Sequence, residues 1–253
     1  MLEIGYSELK LTTTKLEKSN LDLLQFASVA SHDLKEPLRK IQTFGNILRD
    51  RVRDVFDDTE LKYLDKMISS SNRMQNLVDD ILMLSRLSNT EVGFVRTDLN
   101  DILSKIIEDL EIFIKEKNAT IKVPPLPELN VVPGQMHQLF QNLISNGLKF
   151  NENKKPTIRI SASKPEKALA GEFGINPEDF IKLEISDNGI GFEQIYAQKI
   201  FGIFQRLDGN SYQGSGIGLA ICKKIVENHK GYIKAISEPG KGASFVILLP
   251  VAV

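Results

Sequence analysis

Asn142-Leu143-Ile144-Ser145-Asn146-Gly147-Leu148-Lys149-Phe150 sets two carboxamides and an ammonium at i, i+4 and i+7, so they share one helix face, while Leu139, Leu143 and Phe150 turn toward a core. That spacing predicts a helix over 134–150, and what flanks it decides the class of fold. Downstream, apolar runs predict strands at 157–163 and 180–186, a helix over 216–229, and a closing pair of strands at 232–237 and 244–249. Upstream, Ile102, Ile106, Leu110, Phe113 and Ile114 mark one side of a helix over 100–117, followed by short strands at 120–123 and 129–132. Residues 98–253 therefore read as an α/β sandwich. The stretch Lys164 to Asp179, rich in Lys, Glu, Pro and Gly, reads as an exposed loop without chemistry.

Before residue 90 the texture changes to nearly pure helix, with no glycine between Gly5 and Gly45 and a single proline, Pro37. A long helical hairpin is predicted. Its second helix starts near Asp58 or Thr59 and carries a wide apolar stripe through Tyr63, Leu64, Met67, Ile68, Met74, Leu77, Val78, Ile81, Leu82 and Leu84. A stripe that wide buries itself best when two hairpins pair across a two-fold axis into a four-helix bundle, which makes the chain a homodimer. Leu9, Leu16 and Leu23 recur every seven residues, with Tyr6, Thr13 and Asn20 three places before each. That is a weak coiled-coil seam, and an ordinary amphipathic helix packed within one chain fits the same spacing. The expected organisation is multidomain, α followed by α/β: residues 1–90 a coiled-coil lead-in and dimerisation hairpin, 91–97 a linker, 98–253 the sandwich.

Composition narrows the function classes. The 32 Lys and Arg nearly cancel the 33 Asp and Glu, and no long basic run stands out, which disfavours nucleic acid as a partner. The one cysteine, Cys222, lies in an apolar-periodic stretch and reads as a buried thiol in a reducing compartment. No apolar run approaches the roughly 18 residues of a membrane span, so no membrane contact is expected within this chain. A cytoplasmic protein, or the cytoplasmic part of a longer sensor, is the expectation.

Four short blocks carry chemistry. In Ser31-His32-Asp33-Leu34-Lys35-Glu36-Pro37-Leu38, a proline inside a helix removes the hydrogen bond to the Asp33 carbonyl and costs about 3 kcal/mol. Neutral imidazole is a nucleophile near pH 7, and Asp33 can hold the ring's other N–H so that the attacking nitrogen keeps its lone pair. On its own the block fits a solvated surface histidine equally well. The Asn142, Asn146 and Lys149 face offers carboxamide oxygens suited to Mg²⁺, or is a plain solvated face. Asp187-Asn188-Gly189-Ile190-Gly191 ends a strand that carries Ile181, Leu183 and Ile185, which puts a carboxylate where it can accept an adenine amine. A simple glycine turn competes with that reading. Gly214-Ser215-Gly216-Ile217-Gly218-Leu219 opens a helix, where backbone N–H groups and the positive helix end favour phosphate. A dinucleotide fingerprint needs a strand just before such glycines, and here a loop precedes them.

Taken in order, SHDLKEPL, NLISNGLKF, DNGIGF, IFGIFQRL and GSGIGLAI resemble the H, N, G1, F and G2 boxes of the sensor histidine kinases of two-component systems, over nearly the whole chain after about residue 20. The resemblance implies a dimeric helical hairpin joined to an ATP-binding α/β sandwich of the kind shared with gyrase and the Hsp90 chaperones. It implies that His32 accepts a phosphoryl group from ATP with Asp33 orienting it, and that the group passes to an aspartate of a response-regulator receiver domain. Asn146 would bind Mg²⁺ with Asn142 assisting, Lys149 would meet phosphate, and Asp187 would receive the adenine amine. Gly189, Gly191, Gly214, Gly216 and Gly218 would shape the pocket. Glu193 to Gln213 would be the lid, anchored by Phe201 and Phe204, with Arg206 placed against charge on the transferring group.

Two positions depart from the pattern. Gly147 stands where alanine is usual, which loosens the helix by up to about 1 kcal/mol. Glu36 stands where kinases with strong phosphatase activity carry Thr or Asn. Two other functions compete. Hydrolytic ATPases of the shared fold carry a glutamate base at the position of Asn142, and an amide cannot serve as that base. A nucleotide-binding scaffold without catalysis would not need all five boxes intact.

Overall fold

The computed structural model describes residues 31, 33–52, 55–89, 93–207 and 214–251. The heptad stretch around Leu9, Leu16 and Leu23, the expected phosphoacceptor His32 and the far end of the expected lid, 208–213, lie outside the described residues. The chain divides after Asn89 into two compact units.

The first unit is an antiparallel helical hairpin. Helix α1, residues 33–52, runs against α2, Asp58–Asn89. Rungs between them descend in antiparallel order: Lys35 to Asp79 at 2.5 Å, the Ser71 hydroxyl donating to the Leu38 carbonyl at 3.1 Å, and Arg49 to Asp65 at 3.7 Å. Leu38, Val78 and Leu82 form the buried cluster between the helices. The second helix starts at Asp58, within the predicted bounds. Asp57 caps α2, its Oδ1 accepting the N–H groups of Thr59 and Glu60 at 2.8 and 2.9 Å, while Glu60 accepts the Asp57 N–H at 3.0 Å, a reciprocal capping box.

The second unit places helices against a five-stranded sheet. Strands β2 (Thr120–Lys122), β4 (Thr157–Ser163), β5 (Phe180–Asp187), β7 (Gly242–Pro250) and β6 (Tyr232–Glu238) lie side by side in that order, β2 parallel to β4 and the rest antiparallel. Helices α3 (Leu99–Asp109), α5 (Pro133–Lys149) and α7 (Gly218–Asn228) cover one face. Period-two alternation puts Ile158, Ile160, Leu183, Ile185 and Ile247 beneath them, all at most 2% exposed. Cys222 is buried in α7, and burial pushes its thiol up to about 12, an inert group.

Three expectations need correction. The helix over 100–117 is two pieces, because at Leu110 the backbone leaves the helical region and a short α4, Glu111–Glu116, restarts with no buried residue. Val95–Asp98, read as the end of a linker, forms strand β1, paired antiparallel with β3, Glu128–Val131; four residues with two charges gave no alternation to read. The stretch 164–179 is not a bare loop. It holds α6, Lys167–Phe173, ended by Gly174 in the left-handed region at φ 65°. The sheet's second face explains this, since Val246 and Leu248 are apolar and need cover. Phe173 packs on Tyr232 with ring centroids 4.9 Å apart, and Glu166 and Glu172 pair with Lys182 and Lys234 at 2.7 and 2.6 Å.

His229 closes the far end of α7. Its ring is buried, Nδ1–H donating to the Ile225 carbonyl at 2.8 Å and Nε2 accepting the Val132 N–H at 3.0 Å, which fixes a neutral tautomer. Burial lowers its pKa, consistent with a structural staple between α7 and the start of α5.

Candidate active site

The site is assembled from the ends of α5 and β5, the start of α7 and the segment after β5. Asp187 continues the inward-facing row of Ile181, Leu183 and Ile185, so a carboxylate arrives where the helix layer ends. Its Oδ1 accepts the N–H of Gly189 at 2.8 Å and of Ala243 at 3.3 Å. Burial raises its pKa, and the two N–H donors offset that only in part.

The turn after Asp187 is clamped from both sides. Gly191 has φ 61° and lies against the carbonyls of Glu238 and Gly242, so a side chain has neither the conformation nor the room to exist there. The Ile190 N–H donates to the Phe150 carbonyl at 2.9 Å, tying the turn to the end of α5. Asn188 is a brace: its Oδ1 accepts from Asn151 at 2.8 Å and from the Thr157 N–H at 2.7 Å.

On α5, Asn142 reaches α7. Its Nδ2 donates to the Gly218 carbonyl at 3.1 Å, and its Oδ1 accepts from Gln138 at 3.0 Å. Asn146, one turn on, has no side-chain hydrogen bond among the described residues. Lys149 follows, its ammonium 4.6 Å from the centroid of the Phe150 ring and 2.8 Å from where a Cβ on Gly214 would lie. Phe150 is thus half-buried and stacks under a cation rather than joining the core. Burial lowers the Lys149 pKa, and the Arg206 charge lowers it further. Two cations converge beside the glycine-rich turn, a field that an anion relieves. Gly216 takes φ 74° there, packed against the Phe204 backbone and the Gln205 carbonyl.

Phe201 and Phe204 behave differently. Phe201 is 9% exposed and meets Phe245 edge-on at 6.4 Å, so it anchors its segment. Phe204 is 58% exposed with φ 61° and does not anchor the segment among the described residues, because the backbone reversal that packs on Gly216 throws its ring outward. The anchor that sequence reasoning missed is Gln194: its amide donates to the Ala235 carbonyl at 3.1 Å and accepts the Ser237 N–H at 2.9 Å. One side chain thereby pairs with edge strand β6 at the start of the segment expected to form the lid. No local pattern signals such a long-range bond. In the hairpin unit, Asp33 is exposed on α1, and Glu36 is exposed and pairs with Lys40 at 2.7 Å.

These features define a nucleotide-binding sandwich that follows a helical hairpin, and comparison with known proteins agrees. Residues 131–253 match the histidine kinase-, DNA gyrase B-, and HSP90-like ATPase family, and residues 22–90 match the His Kinase A (phospho-acceptor) domain. The chain is 37% identical over 245 residues to the phytochrome-like protein Cph1 of Synechocystis sp., across 96% of this chain and 31% of that protein. It is 30% identical over 256 residues to the sensor protein kinase WalK of Staphylococcus haemolyticus, across 98% of this chain and 40% of that protein. The solved structure of full-length ShkA in complex with AMPPNP shares the fold with a TM-score of 0.67 at 22% identity, over 90% of this chain and 46% of that one. Histidine kinase AdeS of Acinetobacter baumannii gives 0.56 at 18% identity, over 87% of this chain and 98% of that one. The chain belongs to the sensor histidine kinases and carries their catalytic core, a phosphoacceptor hairpin followed by an ATP-binding domain. It spans 31% and 29% of the length of the cyanobacterial relatives Cph1 and cyanobacterial phytochrome A. Among the described residues no helix is long and apolar enough to cross a membrane.

Proposed function

We propose that this chain transfers the γ-phosphoryl group of ATP to His32 and from there to an aspartate of a response-regulator receiver domain. The observation that carries the reading is the convergence of Lys149 and Arg206 beside the glycine-rich turn, one turn from the amide of Asn146, on a helix whose Gly147 rests against a half-buried Asp187. That set has a part for each portion of the nucleotide. Asp187 accepts the adenine amine, Lys149 and the N–H groups of the glycine-rich turn hold phosphate, and Arg206 meets charge on the transferring group. Asn146 would hold Mg²⁺ through its oxygen, and Mg²⁺ would neutralise phosphate charge. Asn142 has both ends of its amide engaged, so it mainly fixes the start of α7.

In the transfer a neutral imidazole nitrogen of His32 attacks the γ-phosphorus. A P–N bond forms, the bridging P–O bond breaks, and ADP leaves with that electron pair. Asp33 takes up the positive charge left on the ring by accepting its N–H. Because ATP is the donor, the reaction belongs on the cytoplasmic side of a cell.

The chain acts as a homodimer. Leu34, Ile41 and Leu48 recur every seven residues on α1, with Tyr63, Met67 and Met74 on α2, and all are between 46 and 63% exposed within one hairpin. A second hairpin offers the surface that such stripes need. Light scattering at tens of micromolar should return twice the chain's 28.4 kDa, and a monomeric mass rules the bundle out.

Dephosphorylation of the receiver by this chain is weak. Glu36 lies one helical turn after His32, where hydrolysis needs a group that both donates to and accepts from a water. A carboxylate only accepts and repels the phosphoryl anion, even with Lys40 beside it. With phosphorylated receiver and a non-hydrolysable nucleotide, Glu36→Thr should speed decay by about tenfold, the usual scale of one positioned hydrogen bond. Fast wild-type decay that slows on this substitution reverses the assignment.

A further inference from the structure

Gly147 has no side chain, yet it faces a tight corner of the site. A Cβ built there would lie 3.1 Å from Cδ1 and 3.3 Å from Cγ1 of Ile158, and 3.3 Å from Cβ of Asp187. Ile158 and Asp187 are direct partners across β4 and β5 and face the same helix layer, so Gly147 is the point where α5 rests on both. A methyl at this position requires Ile158 or Asp187 to shift by a few tenths of an ångström, and all three residues are closely held. Ile158 is fully buried, Asp187 is held by two backbone N–H groups, and Gly147 is itself buried within α5.

We propose that Gly147 is a positioning residue for recognition of the base. Its missing Cβ lets Ile158 and Asp187 close up against α5, and this sets how far the Asp187 carboxylate stands from the adenine amine. The inference rests on Asp187 as the acceptor of that amine. Glycine within a helix costs stability relative to alanine, so its presence here needs a compensating role, and close seating of Asp187 is that role. Ile158 is the complementary half of the fit, since its Cδ1 stands nearest to the volume an alanine methyl would take.

Three variants of the full chain test this with ATP and with purine riboside triphosphate, which lacks the exocyclic amine. Gly147→Ala over-fills the corner. It should raise KM for ATP in autophosphorylation about five- to tenfold, the scale of one misplaced hydrogen bond, and lower the preference for ATP over the purine analogue by the same factor. The rate at saturating ATP should stay within about twofold, because only binding of the base is touched. Ile158→Val leaves the corner loose and should also lower the preference. Gly147→Ala combined with Ile158→Val refills it and should restore both KM and preference toward wild type. If glycine merely happens to stand here, Gly147→Ala gains thermal stability and binds both nucleotides as wild type does, which overturns the proposal. A loss in Gly147→Ala that the double variant does not reverse overturns it too. Should Gly147→Ala fail to fold, an unchanged preference in Ile158→Val decides against it. Equal affinity of the wild-type chain for the two nucleotides is a different failure, because it removes Asp187 itself from base recognition.

Discussion

The His32→Gln protein is expected to take no label from γ-labelled ATP, falling from full incorporation to background, while its affinity for ATP stays within about twofold of wild type. The first half follows from chemistry: a glutamine amide keeps much of the size and polarity of imidazole but has no nucleophilic lone pair on nitrogen. The second follows from placement in the chain, because His32 belongs to the hairpin unit, whereas Asn146, Lys149 and Asp187 belong to the unit that starts after Asn89. Incorporation assays with calorimetry on the same preparation separate the two halves. Label at wild-type level in His32→Gln moves the acceptor elsewhere. Lost ATP binding in the same variant undoes the assignment of the nucleotide site to the second unit.

Asp187→Asn should lose ATP binding by roughly 10- to 100-fold, the worth of one hydrogen bond to a charged acceptor inside a protein. Asparagine is the informative replacement. Its Oδ1 can still accept the N–H groups of Gly189 and Ala243, so the turn keeps its shape, but the second oxygen becomes an amide donor that confronts the donor on adenine. Asp187→Ala adds orphaned N–H groups to that loss and tests less cleanly. Asn146→Ala should weaken binding only when Mg²⁺ is present, since it removes an oxygen ligand and nothing else among the described residues. Calorimetry with and without Mg²⁺ distinguishes the two effects. Unchanged affinity in folded Asp187→Asn would falsify the role given to this carboxylate.

Much of this architecture was legible in the order of residues. Strand β4 begins and ends where apolar alternation does, at Thr157 and Ser163, and the Ile181, Leu183, Ile185 series predicts that Asp187 ends on the helix side of β5. The 3.6-residue period likewise put Asn142, Asn146 and Lys149 on one face of α5. What escaped has a common physical cause. Strand β1 exists because β3 lies beside it, α6 because Val246 and Leu248 need cover, and the Gln194 anchor because β6 offers an open edge. Each depends on a partner tens of residues away, and local propensity carries no trace of that partner. Phe204 shows the converse error, since an aromatic residue inside a mobile-lid motif reads as an anchor until the backbone at φ 61° turns it outward.

Every role assigned above depends on where the phosphoryl group first lands. The most direct measurement is to incubate the intact chain with γ-labelled ATP and Mg²⁺, digest it, and map the labelled residue while following loss of label in acid and in base. The account predicts a single labelled peptide containing Ser31-His32-Asp33, with label lost in acid and retained in base, as a phosphoramidate bond requires. Label that survives acid, or that maps to a serine, threonine or aspartate, contradicts it.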